Sequence, residues 1–127
     1  MRLLILPESA EPVYRQIFGQ IAAQILSGEL AGGTALPPIR TVSRELGTSV
    51  ITVRSAWEAL EAEGLIETRH GSGCYVVSLT EDEKERRRES ALAAPLETLI
   101  DTARSLGLSA EELCERLRQK WRTGPEN

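Results

Sequence analysis

Between Ser49 and Gly64 the apolar residues Val53, Ala56, Trp57 and Leu60 recur at i, i+3, i+4 and i+7, a spacing that an α-helix gathers onto one face. Ser49 suits an N-cap and Gly64 a C-terminal stop, so the pattern predicts a helix reaching about Glu63. Just before it, "IRTVSREL" reads as a two-turn helix opened by Pro38 and ended by Gly47. Two helices joined by so short a glycine-containing turn form the helix-turn-helix pattern. After Gly64, "LIETR" and "CYVVS" flank "HGSG", whose glycines supply the positive φ angles of a tight reversal and predict a β-hairpin.

On the N-terminal side, "LLIL" reads as a short strand. Pro12 fits a first helical position, and Val13, Ile17, Ile21 and Ile25 follow at four-residue spacing, an amphipathic helix ending near "SGEL". "AGGTALPP" then reads as a loop. From Thr80 the composition changes. Thr80 and Glu83 have capping-box spacing, a charged stretch "EDEKERRRES" follows, and Leu92, Leu96, Leu99, Ile100 and Ala103 continue a helix. A break at Gly107 and a second capping box, Ser109 to Glu112, open a last helix whose face carries Leu113, Leu117 and Trp121.

The expected architecture is therefore mainly α with a small β wing. Residues 1–78 form a winged helix-turn-helix domain, 79–122 a helical tail, and 123–127 a frayed end. A tail of under 50 residues buries too little surface to stand alone, and its apolar faces need a partner. A second copy of the chain is the simplest one, which makes Leu96, Leu99, Ile100, Leu113, Leu117 and Trp121 the expected dimerisation residues.

Several function classes are excluded at this level. No run of about 18 apolar residues is present, so no membrane span is expected. The apolar run near the N-terminus is too short for a secretory signal, which leaves a cytoplasmic reading. Cys74 and Cys114 lie far apart and read as buried thiols, without disulfide or zinc spacing. His70 is the single histidine, with no second ligand at useful spacing, so no metal is expected. With no glycine-rich phosphate loop and no paired carboxylates either, neither an enzyme nor a cofactor is expected.

Charge gives a further restriction. The formal net charge is −4, and residues 1–78 hold six Lys or Arg against eight Asp or Glu. Any nucleic-acid function must then rest on a local patch. "EKERRR" is no such patch, since acids interleave it at the spacing of intrahelical ion pairs.

In a helix-turn-helix the N-terminal turn of the second helix enters the major groove, where its free N–H groups favour phosphate and its exposed side chains meet base edges. Here that turn is "TSVIT", Thr48 to Thr52, followed by Arg54 off the buried stripe. Arg54 can pair bidentately with a guanine edge or clamp a phosphate, and Arg40 can reach the adjoining backbone. The hairpin tip joins Arg69 and His70 to Gly71, a combination suited to a minor groove or its phosphates. Trp57 and Trp121 sit on apolar helical stripes and read as core or interface anchors.

"PVYRQIFGQIAAQILSGEL", "LPPIRTVSRELGTS" and "TVRSAWEALEAEGLIETRHGSGCYV", in that order, closely resemble the DNA-binding domain of GntR-type winged-helix regulators over about residues 2–78. The tail is similar to the short YtrA-like branch, whose two C-terminal helices pair between subunits. The resemblance implies a homodimer that binds double-stranded DNA, with repression as the family expectation. It also implies DNA contact by Arg40 and Arg54, support from Thr52, and a wing tip of His70 and Gly71 in or beside the minor groove. Ser49, Val50 and Ile51 complete the expected reading turn.

One departure lies in that turn. Relatives commonly carry polar or basic residues at positions 50 and 51, whereas Val50 and Ile51 are apolar, so a polar contact is missing or replaced by contact with thymine methyls. A dimer is expected to read an inverted repeat with centres about one helical turn apart. The alternative is a winged helix used only for protein interaction, which the acidic balance favours and the grouping of Arg40, Arg54, Arg69 and His70 opposes. Any small-molecule effector is expected between subunits or between tail and winged helix, because one tail offers little room for a pocket of about 300 Å3.

Overall fold

The computed structural model describes residues 1–123. Its elements are α1 (Val13–Ser27), α2 (Ile39–Leu46), α3 (Val50–Ala62), β1 (Ile66–Arg69), β2 (Gly73–Val76), α4 (Glu81–Ser105) and α5 (Ala110–Thr123). The chain divides into two compact units, Met1–Lys84 and a second that begins at Glu85. Among the described residues no helix is long and apolar enough to cross a membrane.

The core of the first unit is the meeting of two helical stripes. Ile17, Ile21 and Ile25 of α1 are buried with Val53, Ala56, Trp57 and Leu60 of α3, and Val42, Leu65, Ile66 and Val76 close the cluster. Each of the buried Ile, Leu and Val side chains contributes about 1.5–3 kcal/mol of transfer free energy. Gly47 ends α2 with φ +68°, its N–H bonded to the Ser43 carbonyl, a left-handed conformation that costs a residue with a Cβ. The chain can therefore reverse at once into Ser49, whose Oγ accepts the Thr52 N–H at 3.1 Å and caps α3.

The prolines stand one position earlier than expected. Pro12 and Pro38 are the N-caps of α1 and α2, not their first helical residues. Each has a helical φ but an extended ψ of about 150°, so its carbonyl accepts the first intrahelical bond; Gln16 N–H reaches Pro12 O at 3.1 Å and Val42 N–H reaches Pro38 O at 3.1 Å.

A second correction concerns "LLIL", which is no strand. The segment is held by a ladder of glutamine side chains from α1. Gln24 donates to Arg2 O (2.6 Å), Gln20 to Leu4 O (2.6 Å) and Gln16 to Leu6 O (3.0 Å). The same carboxamides accept from the N–H groups of Arg2, Leu4 and Leu6 at 3.4, 2.8 and 2.8 Å. A primary amide carries the donor and acceptor of a peptide group, so three glutamines one helical turn apart replace a partner strand. Leu3 and Ile5 meanwhile pack on the core.

β1 and β2 pair antiparallel, with Ile66 opposite Val76 and Arg69 opposite Gly73. The loop before α2 lies along the other edge of β2: Gly33 N–H donates to Val76 O, Val76 N–H to Thr34 O and Leu36 N–H to Cys74 O, all within 2.9 Å. Packing there is tight. A Cβ placed on Gly32 would lie 2.7 Å from the Ser78 Cα.

α4 starts at the end of the first unit, continues into the second from Glu85 and is joined there to α5 across Gly107. Both capping boxes form: Glu83 accepts the Thr80 N–H at 2.8 Å while Thr80 Oγ1 accepts the Glu83 N–H, and Glu112 accepts the Ser109 N–H at 2.9 Å while Ser109 Oγ accepts the Glu112 N–H. The charged start of α4 contains the ion pairs Lys84–Glu81 and Arg88–Glu85. Pro95 lies inside α4, where it forgoes one backbone hydrogen bond.

Ala103 is the buried residue of these two helices, while Leu92, Leu96, Leu99, Leu117 and Trp121 are exposed. Trp121 thus joins no buried cluster among the described residues of its unit. Cys114 is also exposed and Cys74 half-buried, which corrects the reading of both as buried thiols; two helices alone cannot enclose the flank of α5 that carries Cys114. Leu99, Ala103, Leu106, Leu113 and Leu117 line a cleft of about 310 Å3 between α4 and α5, more room than expected of a single tail, because small Ala103 leaves a trough between the leucines. Thr123 still belongs to α5, and the rest of the expected frayed end, 124–127, lies outside the described residues.

Candidate nucleic-acid interface

Four backbone elements bring the candidate residues together. Pro37 and Pro38 lead into α2 and project Arg40 from its first turn. The abrupt stop at Gly47 turns the first residues of α3 toward the same side, with Val50 and Arg54 one helical turn apart. The pairing of the 33–36 loop with β2 then draws the wing against both helices. The result is one cleft of about 370 Å3 lined by Leu36, Pro38, Arg40, Val50, Arg54, Trp57 and the wing residues Ser72, Gly73 and Cys74. Trp57 is buried at its floor and the two arginines are exposed at its rim.

The other candidates divide into two groups. Ser49 and Thr52 are engaged with each other, their hydroxyls 2.8 Å apart; they shape the start of α3. Ile51 lies on the same turn outside the cleft, and 71% of its surface is exposed. Arg69, His70 and Gly71 are exposed at the hairpin tip and do not line the cleft. Gly71 has φ +75°, the conformation the reversal requires.

Arg69 is tied within the wing. Its guanidinium lies 4.0 Å from the centre of the Tyr75 ring and 3.2 Å from a Glu67 carboxylate oxygen. The register explains this. Arg69 faces Gly73, which has no side chain to fill the space, so the arginine lies across to the diagonal neighbour Tyr75. The Tyr75 hydroxyl in turn meets Ser72 Oγ at 2.5 Å, fixing the tip.

Sequence reasoning did not single out Ser72, Gly73, Cys74 or the two prolines as cleft residues, nor Tyr75 as the platform for Arg69. The signal available was the hairpin register, which sets residue 73 opposite 69. Among the described residues no cluster of His, Cys, Asp or Glu could hold a metal ion. What the cleft offers is two exposed cations, an apolar floor and backbone close to the surface, a combination suited to an anionic, groove-shaped partner.

The chain is 42% identical over 81 residues to the "Probable rhizopine catabolism regulatory protein MocR" of Rhizobium meliloti, but spans only 16% of that protein's length. It is 30% identical over 113 residues to the HTH-type transcriptional repressor YtrA of Bacillus subtilis (strain 168), covering 89% of this chain and 87% of that one. Among solved structures, YtrA from Sulfolobus acidocaldarius, a GntR-family transcription factor, superposes with a TM-score of 0.56 at 31% identity, over 96% of this chain and 98% of that one. Residues 13–76, from the start of α1 to the end of the wing, match the model of the bacterial regulatory proteins of the gntR family, and the chain belongs to that family.

Proposed function

We propose that this gntR-family regulator is a homodimeric transcription repressor that binds an inverted-repeat operator in the cytoplasm, by binding alone and without a cofactor. In this reading the first turns of α3 enter the major groove and the wing tip meets the adjoining minor groove. The observation that carries it is the convergence of Arg40, Arg54 and residues 72–74 on one cleft, although the first 78 residues have a net charge of −2. A patch built against the overall charge points to a specific anionic partner. The name of the Bacillus subtilis relative, a transcriptional repressor, supports the sign of regulation. The exposed leucines of α4 and α5 together with Trp121 support the dimer.

Selection of bound duplexes from a random pool tests the reading, followed by a salt series on the winner and on scrambled DNA. A palindromic winner is expected, with an affinity that falls as salt rises by a slope of roughly 0.9 per phosphate neutralised. Arg54→Ala is expected to lose about 1–3 kcal/mol of operator affinity if it holds a base edge. Unchanged affinity across the salt series would remove Arg54 from the interface, and failure to enrich any duplex would favour the protein-interaction reading.

A further inference from the structure

The reading turn at the start of α3 presents two exposed side chains, Ser49, whose Oγ is taken up in capping the helix, and Ile51, which is aliphatic. Val50 is half-buried in the cleft wall beside Arg40 and Arg54. Thr52 gives its N–H to Ser49 Oγ and its hydroxyl lies 2.8 Å from the same oxygen. Val53 is fully buried. That leaves Ile51, 71% exposed, on a turn that carries no charged side chain. From this placement we infer that Ile51 reads the 5-methyl group of a thymine, fixing thymine at one position of each half-site.

The inference rests on the DNA-binding reading and goes further by naming the chemical group recognised. In the major groove the base edges present nitrogen and oxygen donors or acceptors, and the one apolar group among them is the thymine methyl. An isoleucine against any other edge would leave a polar atom dehydrated and unpaired, which penalises the wrong base. Discrimination here therefore has two parts, favourable burial of the methyl at thymine and a desolvation penalty at any other base. Arg54, one turn away on the same helix, would supply the polar contact that sets the register in which the methyl is met.

Replacing thymine by deoxyuridine in the operator removes the methyl group and leaves every hydrogen-bonding atom in place. The full chain is first used to select a duplex, and each thymine of one half-site is then changed singly to deoxyuridine. Binding is expected to weaken about fourfold at one position per half-site, and about fifteenfold with both half-sites changed, the loss of roughly one buried methyl each. Ile51→Ala is expected to bind thymine and deoxyuridine duplexes equally, and Ile51→Val to keep part of the preference. Because Ile51 is exposed, both variants are expected to melt like the parent, which separates a reading role from a folding one.

A selected half-site lacking any fixed thymine would overturn the assignment. So would a preferred duplex indifferent to deoxyuridine, or an Ile51→Ala variant with the parental thymine preference; in these cases DNA binding stands and the methyl contact falls. No preferred duplex at all would overturn the DNA-binding reading and this one together.

Discussion

At Gly32 even a methyl group has no room. A Cβ there would lie 2.7 Å from the Ser78 Cα and closer still to its Oγ, and backbone pinned by the bonds of residues 33–36 to β2 cannot retreat. Gly32→Ala is expected to destabilise the chain by about 1–3 kcal/mol, the usual range for overpacking, read as a lower urea midpoint. Gly19 provides the contrast, an exposed mid-helix position with nothing within 4 Å of its missing Cβ, so Gly19→Ala is expected to raise stability by about 0.5–1 kcal/mol. Glu112 makes the electrostatic case. The Ser109 backbone N–H and hydroxyl hold its carboxyl below the ordinary glutamate range. A carboxyl whose folded value is depressed adds stability above its unfolded value and loses it as pH falls through the folded one. Glu112→Gln keeps the capping geometry without the titration, so its deficit relative to the parent is expected at neutral pH and should vanish in acid; an equal deficit at both would remove the charge from the account. Caps such as Ser49 and Ser109 were legible because their partners lie three residues away. Gly32 and Arg69 were not, because what they touch is set by the pairing of distant or opposite strands.

The helices show how far periodicity carries and where it stops. The stripe of α3 could be read in full and that of α1 from Ile17 onward, with Val13 only half-buried, because burial repeats with the turn of the helix. The N-terminal segment could not, since its partner is a row of side chains. Gln16, Gln20 and Gln24 stand on the polar side of α1, and in a sequence that side looks the same whether it faces water or a peptide. The ladder has a testable gradient. Gln16 is buried and serves three backbone groups, the N–H and carbonyl of Leu6 and the carbonyl of Glu11. Gln16→Ala is expected to cost about 1–3 kcal/mol, the penalty of orphaning partly buried groups. Gln20→Leu keeps the bulk but deprives Leu4 of both its partners, so faster exchange of the Leu4 amide hydrogen is expected with a smaller loss of stability. Unchanged exchange would show that packing of Leu3 and Ile5, not the amide ladder, holds the segment.

For the molecule as a whole, the second unit raises the question of what covers it. α4 and α5 form both capping boxes and several ion pairs, yet bury little apolar surface between them, and Trp121 is 82% exposed. Two helices with such a thin core are marginal in water, and the apolar row visible in the sequence at Leu113, Leu117 and Trp121 points the same way. Self-association is the proposed answer. Tryptophans in interfaces commonly contribute about 2 kcal/mol or more when truncated, and a homodimer loses two of them, so Trp121→Ala is expected to raise the dimer dissociation constant about thirtyfold per subunit, on the order of a thousandfold in all. Sedimentation across a dilution series reads that shift. Because Trp121 is so exposed, its removal should cost the isolated subunit almost nothing, and equal helix content of the variant and of a parent diluted to monomer separates lost association from misfolding. Operator binding supplies the second readout: a weakened dimer must assemble on the DNA, so occupancy should rise with nearly the square of protein concentration, whereas a parent that stays dimeric titrates as a single species. A parent chain that sediments as a monomer at micromolar concentration, or a Trp121→Ala variant with parental mass and titration, would leave this face to some other partner.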